Sequence, residues 1–273
     1  MIKVIQSKLE NLIRLVYINS ITIKKESVIL VEYPKSGGTW LGQLVSEYLD
    51  IPFPRNKFPT TKRSLFHGHY LPKNRIVKNK KIILLVRDGR DTLVSFYHHQ
   101  LLWNDKNKLN PSNVEYYRKT VGFDNYENVK KNMAAYIKYS FLHKPPKFQH
   151  YLFHGNWFQF NDAWLKEAEK SNNIYLVRYE DLLSDTQGTM RTLIKNFFNE
   201  EEINEERLAE VVHKYSFENQ TKRKKGDENT NSFLRKGISG DWKNYFGASE
   251  IELFKQYSKD MLVRLKYEEN EDW

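Results

Sequence analysis

The sequence predicts an α/β domain with a central, mainly parallel β-sheet flanked by helices. Three short apolar runs at 28–31 (VILV), 80–87 (KKIILLVR) and 173–179 (NIYLVRY) have the composition of strands buried on both faces. Each is followed by a polar turn and then by apolar residues at helical spacing. No repeat and no linker-like stretch divides the 273 residues, so 1–273 reads as one domain: a lead-in at 1–27, a core at 28–246 and a C-terminal helix at 247–273.

In chain order, the first segment places Ile2, Ile5, Leu9, Leu12, Ile13 and Val16 on one helical face. Lys8, Glu10 and Arg14 interrupt it, which argues for a docked surface helix and against a signal peptide, hence a cytoplasmic protein. The strand at 28–31 runs into Pro34-Lys35-Ser36-Gly37-Gly38-Thr39, after which Trp40, Leu41, Leu44, Val45, Tyr48 and Leu49 recur at helical spacing. A loop of this kind before a helix offers unpaired N–H groups and a positive dipole end, and Lys35, Ser36 and Thr39 add a cation and two hydroxyls. It differs from the GxxxxGK[ST] nucleotide loop, because here the lysine precedes the glycines.

Residues 51–63 read as loop, and 64–72 (SLFHGHYLP) as a short strand and turn. His67 and His69, two apart, share one side of an extended chain. No carboxylate or third histidine stands near them in sequence at metal-ligand spacing, so no metal is expected. The strand at 80–87 places Arg87 at its carboxyl end, where open α/β sheets bind ligands, and a helix follows Asp91. Residues 101–151 are the least patterned and contain the breaker Pro145-Pro146. Helices are expected at 158–170, 187–198, 203–215 and 249–267, with a polar loop at 221–231.

The absence of cysteine excludes disulfides and thiolate metal sites. The formal net charge of +10 points to an anionic ligand or partner, and charge alone leaves nucleic acid, an acidic membrane surface and a phosphorylated cofactor open. No apolar run reaches the length of a bilayer span.

Three motifs together resemble those of the cytosolic-type sulfotransferases. Residues 33–40, YPKSGGTW, resemble that family's 5′-phosphosulfate loop, usually YPKSGTTW; Arg87 with Ser95 resembles its 3′-phosphate pair; residues 235–246, RKGISGDWKNYF, resemble its RKGxxGDWKxxF signature. The resemblance implies a P-loop nucleotide-hydrolase-like fold and 3′-phosphoadenosine 5′-phosphosulfate (PAPS) as sulfuryl donor. It further implies that Lys35 contacts the bridging oxygen and that Ser36, Gly37, Gly38 and Thr39 cradle the phosphosulfate. Trp40 and Phe217 would enclose the adenine, with Tyr179 reaching one of its nitrogens. Arg87, Ser95, Arg235, Lys236 and Gly237 would bind the 3′-phosphate. His69, in the position of the family's KTHLP histidine, would be the base, acting on a hydroxyl or amine of a small acceptor. A base with pKa near neutrality suits that task.

The chain departs from the pattern at Gly38, which replaces a threonine, at His67, which replaces a lysine, and at the additional Tyr70. The dimerisation segment KxxFTVxxxE is here KNYFGASEIE, which implies a monomer or weak homodimer. Two other readings are a basic nucleic-acid-binding protein and a catalytically silent PAPS-binding relative. The basic run 222–225 is short and lies close to the third motif, and the retained Lys35 and His69 argue against a silent protein.

Overall fold

The computed structural model describes residues 27–54, 63–109, 111–144 and 155–273. The helix expected over 1–27 lies, but for Ser27, outside the described residues, as does the 145–146 breaker.

The first strand, β1 (Val28–Glu32), is buried along its whole length and leads through the loop into α1 (Gly38–Tyr48). β2 (Leu65–Gly68) and β3 (Lys81–Val86) pair with its two edges, β4 (Ile174–Arg178) pairs with β3, and all pairings are parallel. Helices α2 (Gly89–Leu101), α3 (Pro111–Val121), α4 (Val129–Leu142) and α5 (Trp157–Ala168) lie between β3 and β4 in sequence. After β4 come α6 (Tyr179–Ser184), α7 (Thr186–Phe198), α8 (Glu205–Lys214), α9 (Phe217–Thr221), α10 (Ala248–Ser258) and α11 (Met261–Arg264).

Strand alternation divides the core in two. Ile29, Val31 and Leu84 face one cluster with Tyr97, Trp157 and Phe254, while Leu30, Ile83 and Leu85 face another with Leu41, Leu44 and Leu193. Both faces are covered, which is why these strands read as unbroken apolar runs. The register pairs Val31 with Gly68 and Glu32 with Leu85, so the carboxyl ends of β1, β2 and β3 form one edge.

Three expectations are corrected. The run at 173–179 is not a buried strand: β4 is an edge strand in which only Val177 is buried and Leu176 is 37% exposed. The run also ends sooner, because Tyr179 begins the short helix α6. The C-terminal helix expected at 249–267 is two helices; Lys259, at φ +50°, breaks it, and Met261, Leu262 and Leu265 turn into the core.

Candidate active site

The site begins with the loop from β1 to α1. Ser36 closes it, its backbone N–H and its hydroxyl both donating to the Tyr33 carbonyl, at 3.2 and 2.8 Å. Its hydroxyl thus holds the loop's own shape. Lys35 adopts φ +74°, a left-handed conformation costly for a residue with a side chain, and Gly37 caps α1 in the same region. The Lys35 carbonyl accepts from Arg87 Nη1 at 3.0 Å, which joins the loop to the end of β3. Thr39 is half-buried in the first turn of α1, where helix N–H groups lack preceding carbonyls.

The Lys35 ammonium lies 3.9 Å from the centre of the Phe233 ring, and that of Lys106 lies 3.8 Å from the same ring. Burial, with the charges of Lys106 and Arg87, lowers the Lys35 amine to about 7. A cation this poorly solvated gains strongly from an incoming anion.

Arg87 stacks on the Tyr179 ring at 4.4 Å, and Trp40 meets Tyr179 edge-on at 6.0 Å. Arg87 Nε and Trp40 Nε1 are both buried without a hydrogen-bond partner, as expected where an acceptor-bearing ligand is to complete the site. Ser95 lies half-buried on α2. Arg90 serves a different purpose: it pairs with Asp88 at 2.7 Å and Glu268 at 2.5 Å, stacked against Trp242 and Trp273.

The second loop carries Arg235 and Lys236, both paired with Asp241 and Glu228. Burial works against the Asp241 carboxylate, yet hydrogen bonds from Lys236 and Arg235 hold it down at about 2. Gly237, at φ +66°, packs so tightly on Phe217 that a Cβ would lie 2.5 Å from that ring. Arg235 is near enough for its charge to act on both Lys35 and Arg87, so the two loops address one region. Asp91, near the start of α2, fastens the second loop to the end of β3: its carboxylate accepts from the Gly240 N–H at 2.6 Å and the Trp242 N–H at 2.9 Å.

His67 and His69 stand beside the first loop with their rings 5.3 Å apart. Both are anchored on Glu32. His67 Nε2 lies 2.9 Å from Glu32 Oε1, and His69 Nδ1 lies 2.9 Å from the Glu32 carbonyl. A carbonyl only accepts, so His69 donates through Nδ1, and in the neutral ring the lone pair belongs to Nε2. Glu32, distant in sequence, is brought in by the pairing of β1 with β2, so the two histidines do have a carboxylate beside them. The three residues place donor atoms within 4.8 Å of one another, a spacing that a metal could use. His98 and His99 are different: burial and the charge of Arg235 in one case, burial and Lys35 in the other, hold each at about 3 and hence neutral.

Glu32, Asp91, Phe233 and Asp241 were not singled out from the sequence. The signal for Glu32 is a carboxylate closing an otherwise apolar buried strand, VILVE.

A Gly-bearing loop at the carboxyl edge of a parallel sheet, with cations brought near it from two further segments, is the arrangement of a P-loop-like α/β fold, where ligands bind at the strand ends. The comparisons give the class. Residues 53–266 match the sulfotransferase domain, and the chain belongs to that family. Sulfotransferase 1B1 of dog is 26% identical over 280 residues, covering 87% of this chain and 84% of the relative. Sulfotransferase 2A6 of mouse is 25% identical, covering 90% and 87%. Among solved structures, the mouse sulfotransferase SULT7A1 complexed with PAP, the desulfated form of PAPS, superposes with a TM-score of 0.61 at 24% identity, covering 89% of this chain and 88% of that one. A retinol dehydratase in complex with retinol and PAP has the same fold, with a TM-score of 0.57 at 18% identity over 90% of this chain and 84% of that one. Among the described residues no helix is long and apolar enough to cross a membrane.

Proposed function

We propose that this sulfotransferase moves the sulfuryl group of PAPS to a hydroxyl or amine of a small-molecule acceptor. The observation that carries the reading is the meeting of a half-buried Lys35, ringed by Phe233 and other cations, with Arg87 and Arg235 at one loop, beside a histidine that donates through Nδ1 to a backbone carbonyl. This donor set fits a ligand with phosphate at two ends: Gly37, Thr39 and Lys35 at the phosphosulfate, and Arg87, Ser95, Arg235, Lys236 and Gly237 at the 3′-phosphate. Trp40 and Tyr179, edge-on to each other, and Phe217, packed on Gly237, are the rings assigned to the adenine. The PAP held by the structurally similar SULT7A1 supports the same ligand class.

In the transfer, the acceptor oxygen or nitrogen bonds to sulfur as the bond from sulfur to the leaving phosphate oxygen breaks. His69 Nε2 takes the acceptor's proton. Lys35 stabilises charge that grows on the leaving oxygen, an interaction made mainly in the transition state. Positioning and electrostatics supply the catalysis, as in phosphoryl transfer, and no metal is assigned a part.

The test is His69→Ala with a panel of phenol, alcohol and amine acceptors and labelled PAPS. Turnover is expected to fall by about 10²-fold or more, the scale of a lost general base. The PAP-induced rise in melting temperature should persist, and His67→Ala should cost clearly less. Near-normal turnover in His69→Ala, or a larger loss in His67→Ala, contradicts the assignment of the base.

A further inference from the structure

We propose that Glu32 is a positioning residue of the transfer site, locking the histidine segment to the phosphosulfate loop. This rests on the sulfotransferase reading above. Glu32 is 4% exposed, and its carboxylate is shared between two donors. Oε2 accepts from the Gly38 N–H at 2.6 Å, and Oε1 meets His67 Nε2 at 2.9 Å. Its carbonyl holds His69 Nδ1 at 2.9 Å. One residue therefore fixes an amide of the loop and both imidazoles, across segments 35 and 37 residues apart in sequence.

Gly38 is the steric partner of this arrangement. A Cβ there would lie 2.6 Å from Glu32 Cδ and 2.6 Å from His67 Nε2, closer than real Cβ atoms come. Any side chain at 38 and the Glu32–His67 pair compete for one volume, so the glycine in YPKSGGTW is what admits the pair. Gly38 remains part of the loop, but its N–H is spent on a carboxylate.

The electrostatics agree with the geometry. Burial opposes ionisation of Glu32, but the hydrogen bond from His67, the charges of His67 and His69, and the Gly38 N–H together hold its carboxyl below the usual range. An ionised carboxylate can only accept, so His67 presents Nε2–H to it. Replacing the carboxylate by an amide keeps the shape but turns one oxygen into a donor, so the pair survives only if His67 changes tautomer to accept at Nε2; otherwise the amide conflicts with the Gly38 N–H or the His67 N–H.

The experiment uses the full chain carrying Glu32→Gln. Three readouts are taken: the nitrogen NMR signals of the histidine rings with the Gly38 amide proton, the melting shift with PAP, and turnover of PAPS with 2-naphthol as a phenol probe. The expected result is displaced His67 ring signals and an upfield move of the Gly38 amide proton. The PAP-induced shift should be retained, and turnover should fall by about tenfold or more, part of the ~10² that a general base supplies. Unmoved ring signals, or a wild-type rate in Glu32→Gln, overturn the proposal. Where the probe gives no turnover in the parent protein, the ring signals decide. A second arm keeps the test open if Glu32→Gln folds poorly: Gly38→Ala should lower the melting temperature of the parent protein more than that of a Glu32→Ala background. Equal effects in the two backgrounds overturn the steric pairing. Absence of any PAP shift in the parent protein counts against the proposed function and leaves both Glu32 arms readable.

Discussion

At the scale of single residues, Lys35 joins backbone strain to an unusual charge. It holds φ +74° at the point where β1 gives way to the loop, and its amine sits at about 7 through burial and the neighbouring charges of Lys106 and Arg87. An anion bound there raises that pKa, so binding takes up a proton. The linked affinity is fully present below about pH 7 and declines as pH rises above it. Titration calorimetry should therefore find PAP binding weaker at pH 8.5 than at pH 7, by at most about tenfold per pH unit. Lys35→Ala should remove that slope; a slope unchanged in the variant contradicts the assignment. Lys35→Ala should also reduce turnover more than it weakens PAP binding, because the lysine acts mainly on charge that develops at the leaving oxygen. Equal losses in rate and affinity would make it an ordinary binding residue.

At the scale of elements, the site depends on how three segments are held to one edge. Asp91, near the start of α2, binds two backbone N–H groups of the signature loop and is 2% exposed. Asp91→Ala leaves both donors without their acceptor, at about 1–3 kcal/mol each for a buried polar group. A drop of several degrees in melting temperature with weaker PAP binding is expected; a stable variant that binds PAP normally contradicts this role. The positions of the strands and of both loops were legible in the sequence because their signals are local: apolar runs, a Gly-bearing turn, an Arg-Lys-Gly turn. The partnership of Glu32 with His67 was not, since it depends on the register of β1 against β2 rather than on spacing. The same holds for β4, whose apolar composition matches that of β3 although it lies at the sheet's edge. The break at Lys259 was hidden because the apolar spacing continues through it, from Phe254 to Met261, Leu262 and Leu265.

At the scale of the whole molecule, the formal charge of +10 has a local reading. Many cations are already compensated: Arg90 by Asp88 and Glu268, Arg191 by Glu205, Lys214 by Glu47. Lys35 and Arg87 instead stack on aromatic rings at the loop. We propose on this ground a small polyanion bound at one place rather than a nucleic acid spread across the surface. The segment 243–252 runs into α10, where Gly247 caps the helix and Glu252 is exposed; from its departure from the KxxFTVxxxE pattern we propose a monomer or weak dimer. The most direct measurement is the melting temperature with PAP, with adenosine 5′-monophosphate and with duplex DNA over a salt series, using the parent chain and Arg235→Ala. A ligand that binds only the native state stabilises it by mass action. The account predicts a clear rise with PAP, much less with the nucleotide lacking a 3′-phosphate, and little in Arg235→Ala. A rise with DNA that declines steeply with salt and is not competed by PAP, or no rise with PAP at all, would contradict it.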